Sequence, residues 1–187
     1  LSAGKPTLSD RWIVSRFMAT MKTATECFEK YDFSHALDAT ERFFFAEFCD
    51  NYLEILKQRL WNPDRFPPEQ VDAARFTLHL VLLGVLKLFA PFIPYITEEL
   101  YQIVFRSSDG PVSLHTSEWP AFDTSRIDTE AEAAGKLLVI VLTGVRRWKT
   151  EQQVHANFPL KKMVITASKA ERARLEPIAE DLRVAAH

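Results

Sequence analysis

The stretch 80–100, LVLLGVLKLFAPFIPYITEEL, constrains the fold more than any other part of the chain. It is almost wholly apolar, is broken by Pro91 and Pro94, and resumes into an acidic turn at Glu98 and Glu99. Proline removes a backbone donor and clashes with the preceding turn, so one helix is predicted to end near Phe89 and another to begin with Pro94 in its first turn. A membrane span needs about 20 mostly apolar residues, a length this run reaches. Lys87, His79 just upstream and the two prolines argue against a span, and the run is read as a helix at the centre of a bundle with no membrane partner.

The flanking sequence extends the helical reading. Pro6 closes a linker over residues 1–7, and Thr7 or Ser9 can cap a helix whose apolar positions Ile13, Phe17, Met21, Ala24 and Phe28 recur every three to four residues. Asp32 can cap a second helix, apolar at Phe33, Leu37, Phe44, Phe48, Ile55 and Leu60, that reaches Trp61 and forms an antiparallel hairpin with the first. WNPDRFPP is turn-rich, and a third helix starts near Glu69. After the helix opened by Pro94, residues 107–127 form a long loop anchored by Trp119 and Phe122, followed by a helix over 129–153 with Ala134, Leu138, Val141, Val145 and Trp148 on one stripe.

The pattern changes after Pro159. LKKMVITA reads as a short β-branched strand, and Ser168 with Glu171 makes a capping box for a last helix bearing Leu175, Ile178 and Leu182. The fold class is therefore mainly α: a helical domain over 8–153 with a partial α/β appendage over 156–187 that His187 is expected to cut short.

Several kinds of chemistry lack their residues. Glu47, Asp50 and Glu54 share a helix face, yet no Glu has a His three residues later, so a di-metal carboxylate bundle is not supported and the acids are read as a solvated face. The five histidines are scattered, and no P-loop, dinucleotide fingerprint or Gly-x-Ser-x-Gly occurs. Cys27 and Cys49 lack metal spacing and are read as buried free thiols in a reducing cytosol. The N-terminal residues have no apolar signal-peptide core, and none is expected. What remains is binding. Lys57, Arg59 and Trp61 with Arg65 and Phe66, and separately Arg146, Arg147 and Lys149 around Trp148, combine cations with planar rings, as unpaired RNA requires. The net charge of −2 does not by itself announce such a partner, and Trp148 lies on the apolar stripe, where it is read as a core residue. A helical protein-interaction module whose basic residues only decorate its surface is the competing reading.

Four segments taken in order, Asp10-Arg-Trp-Ile-Val-Ser-Arg16, Glu47-Phe-Cys-Asp-Asn-Tyr-Leu-Glu-Ile-Leu-Lys57, Ala90-Pro-Phe-Ile-Pro-Tyr-Ile-Thr-Glu-Glu-Leu100 and Ser117-Glu-Trp-Pro120, resemble the anticodon-binding domain of the class Ia aminoacyl-tRNA synthetases. The Glu-Phe-Cys-Asp segment points to the valyl branch rather than the isoleucyl or leucyl one. The likeness covers residues 8–122 and continues more weakly to Lys162. It implies a bundle that grips the anticodon stem and loop of tRNA(Val), while a separate catalytic domain of the same chain uses ATP and Mg2+ to activate valine in the cytoplasm. The family's His-Ile-Gly-His and Lys-Met-Ser-Lys-Ser signatures do not occur here, and Lys162-Met163 followed by Val-Ile-Thr is no substitute. The chain is thus expected to be a C-terminal portion with no catalytic residue and no cofactor of its own, starting after a helix with an Asn-x-x-Arg-like stretch. In methionyl relatives the end of the matching helix supplies a residue that stacks on the anticodon. By that resemblance Lys57, Arg59, Trp61, Arg65 and Phe66 border the anticodon loop, and Arg146, Arg147 and Lys149 contact phosphate; the alternative is that Trp61 only staples the hairpin end.

Overall fold

The computed structural model describes residues 3–186. Helix α1 (Leu8–Glu29) starts at a capping box: the Thr7 side chain accepts from the Asp10 N–H, and Asp10 accepts from the Thr7 N–H at 2.9 Å. It ends where Tyr31 turns left-handed at φ 59° and the Asp32 N–H reaches back to the Cys27 carbonyl at 2.8 Å, the closure usually served by glycine. Asp32 then caps α2 (Phe33–Arg42).

The long helix expected to reach Trp61 is continuous but changes its winding. Between α2 and α3 (Leu53–Trp61), residues Phe43–Tyr52 form ten residues of π-helix. The wider turn brings Phe43, Phe48 and Tyr52 into one buried ring stack, with centroids 6.4 and 6.0 Å apart along it. A short 3-10 turn (Pro63–Arg65) leads to α4 (Pro68–Phe89), and Pro94 opens α5 (Pro94–Val104) as the prolines dictate.

The central place belongs to α1, which packs against α2, α4 and α6 (Thr129–Glu151), rather than to α4. Trp12, Ile13, Phe17 and Met21 meet Phe43, Phe48, Val81, Val85 and Leu88 in the main core. The second apolar face of α4 is covered instead by α5 and the loop: Leu86 and Ala90 pack with Tyr101 and Leu114. Residues 107–127 drape over the bundle, held where Trp119 donates to the Thr25 hydroxyl at 2.9 Å and where Glu98 accepts from Ser113 and from the Leu114 N–H.

No strand forms among the described residues. The segment 160–167 has no regular structure, with Val164 and Ile165 exposed, because β-branched composition favours a strand only where a neighbouring strand supplies its hydrogen bonds. The expected α/β pairing is thus replaced by helices alone. After the Ser168 capping box, α7 (Lys169–Leu175) and α8 (Ala179–Ala186) follow, and Ile178, Leu182 and Ala186 pack against Leu138, Leu142 and Ile55. No helix among the described residues is long and apolar enough to cross a membrane.

Candidate nucleic-acid interface

The hairpin end formed by α3, the 3-10 turn and the start of α4 presents the first set of expected residues. Trp61, in the last turn of α3, is 70% exposed. Asn62 leaves the helix at φ −126°, Pro63 opens the 3-10 turn and Pro67 stands at the cap of α4. Lys57, one turn earlier, holds its ammonium 5.9 Å from the Trp61 ring centroid while it pairs with Glu54. Beyond the turn, exposed Arg65 and half-buried Phe66 line a crevice of about 280 Å³ with Gln58, and α8 closes its other wall with Arg183.

Arg59 is not part of this surface. It is 1% exposed and forks onto Asp10 of α1, with bonds of 2.7 and 2.8 Å, while the Tyr52 hydroxyl donates to the same carboxylate at 2.7 Å. Burial alone lowers the pKa of the guanidinium, but the hydrogen bonds and charge of Asp10 outweigh it and raise the value. Burial first, and the Asp10 charge second, push the Tyr52 phenol well above its ordinary range. The expectation that Arg59 borders RNA is corrected on this ground: its charge is consumed in fixing the last turns of α3 to the start of α1. That fixes Trp61 indirectly.

The second set divides in the same way. Lys149 is buried and donates to the carbonyls of Ala156 and Ala186 at 2.7 and 2.9 Å, so it ties α6 to the end of α8 and faces no phosphate. Burial lowers its pKa. Arg146 is half-buried and bonded to the Asn51 side chain at 3.0 Å and to the Asp50 carbonyl. Arg147 alone is fully at the surface, paired with Glu151 at 2.8 Å. Trp148 is not core: it is exposed and lines a groove with Val145, Met163 and Val164.

The two sets do not merge into one patch. Arg146 is bonded at Asn51, near the end of the π-helical segment, and Trp61 closes α3, ten residues or about 15 Å further along the axis. The charges at the Trp61 corner are also mixed, since Glu54, Asp64 and Glu180 accompany Lys57, Arg65 and Arg183. What distinguishes that corner is a rigidly mounted exposed ring beside cations, an arrangement suited to stacking an unpaired base more than to neutralising a duplex backbone.

Sequence reasoning missed Arg183, which reaches the corner only because α8 folds back on α3. It also missed the Asp10–Arg59 pair, although a signal was present. Asp10 is in phase with Ile13 and Phe17, and Arg59 with Tyr52, Ile55 and Leu56, so each charge lies on its helix's core stripe.

A model of the family described as the anticodon-binding domain of tRNA ligase matches residues 10–165. The chain belongs to that family. Among curated relatives, valine–tRNA ligase of Methanosarcina barkeri is 42% identical over 156 residues, which are 83% of this chain and 17% of that protein. That of Thermococcus kodakarensis is 40% identical over 156 residues, with the same 83% and 17% coverage. That of Methanothermobacter thermautotrophicus is 35% identical over 173 residues, 92% of this chain and 19% of that protein. The chain therefore spans less than a fifth of the length of these relatives.

Proposed function

We propose that the chain is the anticodon-binding portion of a valine–tRNA ligase and that it holds the anticodon stem and loop of tRNA(Val) at the corner made by α3, the 3-10 turn and α4. Trp61 stacks on an unpaired base, and Lys57, Arg65 and Arg183 contact the flanking phosphates, with Phe66 as floor of the crevice. Arg147 reaches the backbone only if the RNA extends along α6. Arg59 and Lys149 act through the positions they fix. Activation of valine by ATP with Mg2+ belongs to a catalytic domain in the same cytoplasmic polypeptide. The observation that carries the reading is the exposed Trp61, held by a helix end that is itself locked through Arg59.

Base stacking on a protein ring contributes about 1–3 kcal/mol per base. Trp61→Ala in the full-length ligase is accordingly expected to weaken tRNA(Val) binding by about 5- to 150-fold at 25 °C. The mixed charges make the salt dependence shallow, with a slope of log K against log salt near that of one to three phosphates. Unchanged affinity in Trp61→Ala and in Arg65→Ala would remove the site from this corner.

A further inference from the structure

Helix α5 is inside out. Thr97 and Tyr101 are its buried residues, whereas Tyr95, Ile96, Leu100, Ile103 and Val104 stand in solvent, Tyr95 at 91% and Ile103 at 70% exposure. A surface helix ordinarily turns its apolar stripe inward and its polar residues outward. Five large apolar side chains thus stand open on one short helix, whereas surface apolar residues ordinarily occur singly.

We propose that this face docks on the catalytic domain of the ligase polypeptide. The inference rests on the reading of the chain as part of that enzyme. Three observations select this occupant. Helix α5 carries no Lys, Arg or His, and its outward charge is Glu99, so RNA finds no cation there. The relatives carry more than four-fifths of their length outside the matched region, which supplies a protein surface in the same chain. The face is apolar with a polar margin at Glu99 and Gln102, the make-up of a contact between domains of one chain.

The position is also right for a division of labour. Helix α4 starts beside the Trp61 corner and ends at Phe89, next to the α5 face, so its 22 residues separate the two by about 33 Å. At the α5 end, Tyr31 is 82% exposed while holding the left-handed backbone that favours glycine, and it touches Phe33 edge-on, with centroids 6.3 Å apart. An exposed ring kept at a strained position extends the apolar surface around the tip of the α1–α2 hairpin. One end of the bundle thus presents a ring and cations, and the other presents hydrocarbon.

The test places a photoreactive benzophenone amino acid at position 103 in the full-length ligase and maps the cross-linked peptide without RNA present. A peptide from the catalytic domain is the expected result. Cross-links only to a second copy, only to the segments adjoining this chain, or to nothing overturn the proposal. Because Ile103 is exposed, Ile103→Glu keeps the bundle folded; it is expected to speed proteolytic separation of the domains at least fivefold while melting of the bundle is unchanged. An unaltered cleavage rate also overturns it. Failure of the tRNA reading would show separately, as absence of stem-loop binding by the unsubstituted enzyme.

Discussion

Removing the carboxylate of Asp10 strands a guanidinium inside the bundle, and the structure allows the cost to be worked out. Asp10 is fully buried, Arg59 is 1% exposed, and the two bonds of the fork, 2.7 and 2.8 Å, satisfy both terminal nitrogens of Arg59. Its Nε is buried and has no hydrogen-bond partner, so Asp10→Ala leaves the cation with the 3.5 Å contact to the Ser9 hydroxyl and the attraction of the nearby Asp181 charge. Breaking a buried pair by removing one partner costs about 3–5 kcal/mol. For a chain of this length each kcal/mol lowers Tm by about 2–4 °C, so Asp10→Ala is expected to melt roughly 6–20 °C below the parent. Arg59→Met is expected to cost less. The carboxylate then keeps the Tyr52 hydroxyl and the Thr7 N–H, and the unpaired Nε disappears with the guanidinium. The combined Asp10→Ala/Arg59→Met variant should therefore be more stable than Asp10→Ala alone. Urea unfolding of the three variants measures this directly. A cost below about 1 kcal/mol for Asp10→Ala, or a double variant less stable than Asp10→Ala, would refute the argument that the pair is held by mutual desolvation.

Two glycines separate helix propensity from packing. A Cβ at Gly84 would lie 2.2 Å from the Phe17 ring, whereas one at Gly144 meets nothing within 4 Å. Gly144→Ala should stabilise by about 0.5–1 kcal/mol, and Gly84→Ala should destabilise by about 1–3 kcal/mol, measured by thermal melting; the same sign for both would contradict the core geometry. Asp181 provides a pH signature: burial raises its pKa, although the Arg59 charge and the Ser9 hydroxyl donating at 2.5 Å pull the other way. The native state therefore holds this proton more tightly than the unfolded chain. Its contribution to stability is fully present below the unfolded aspartate value and is lost as pH rises through the raised folded value. Relative to the parent, Asp181→Asn should gain stability as pH increases from about 4 to 7, because the lowered carboxylates Asp128 and Glu98 are common to both proteins and cancel. A difference that stays flat with pH would mean that Asp181 is not buried against α1.

The elements that were legible in the sequence are those whose determinants are local. Pro94 at the first position of α5 and the capping boxes at Thr7 and Ser168 each act within one turn, and each appears where the residues place it. The winding of 43–52 was hidden because three successive phenylalanines carry no period. Segment 160–167 has the composition of a strand, but pairing depends on a partner that composition cannot provide. At the site, Trp61, Arg65 and Phe66 are exposed or half-exposed by the turn chemistry around them. Arg59 and Lys149 were misplaced because their partners lie far away, at Asp10 and at the carbonyls of Ala156 and Ala186. A charged side chain reads as surface unless its phase on the helix is weighed against its type, and for Arg59 the phase was the better guide.

On the proposed function, RNA meets the Trp61 end of the bundle and not the α5 end. Photo-cross-linking of a tRNA(Val) anticodon stem-loop carrying 4-thiouridine in its loop to the full-length ligase, followed by peptide mapping, tests it most directly. Label is expected in the peptide that contains Trp61, Arg65 and Phe66. Label confined to 93–104, or to the segment around Tyr31, would contradict it.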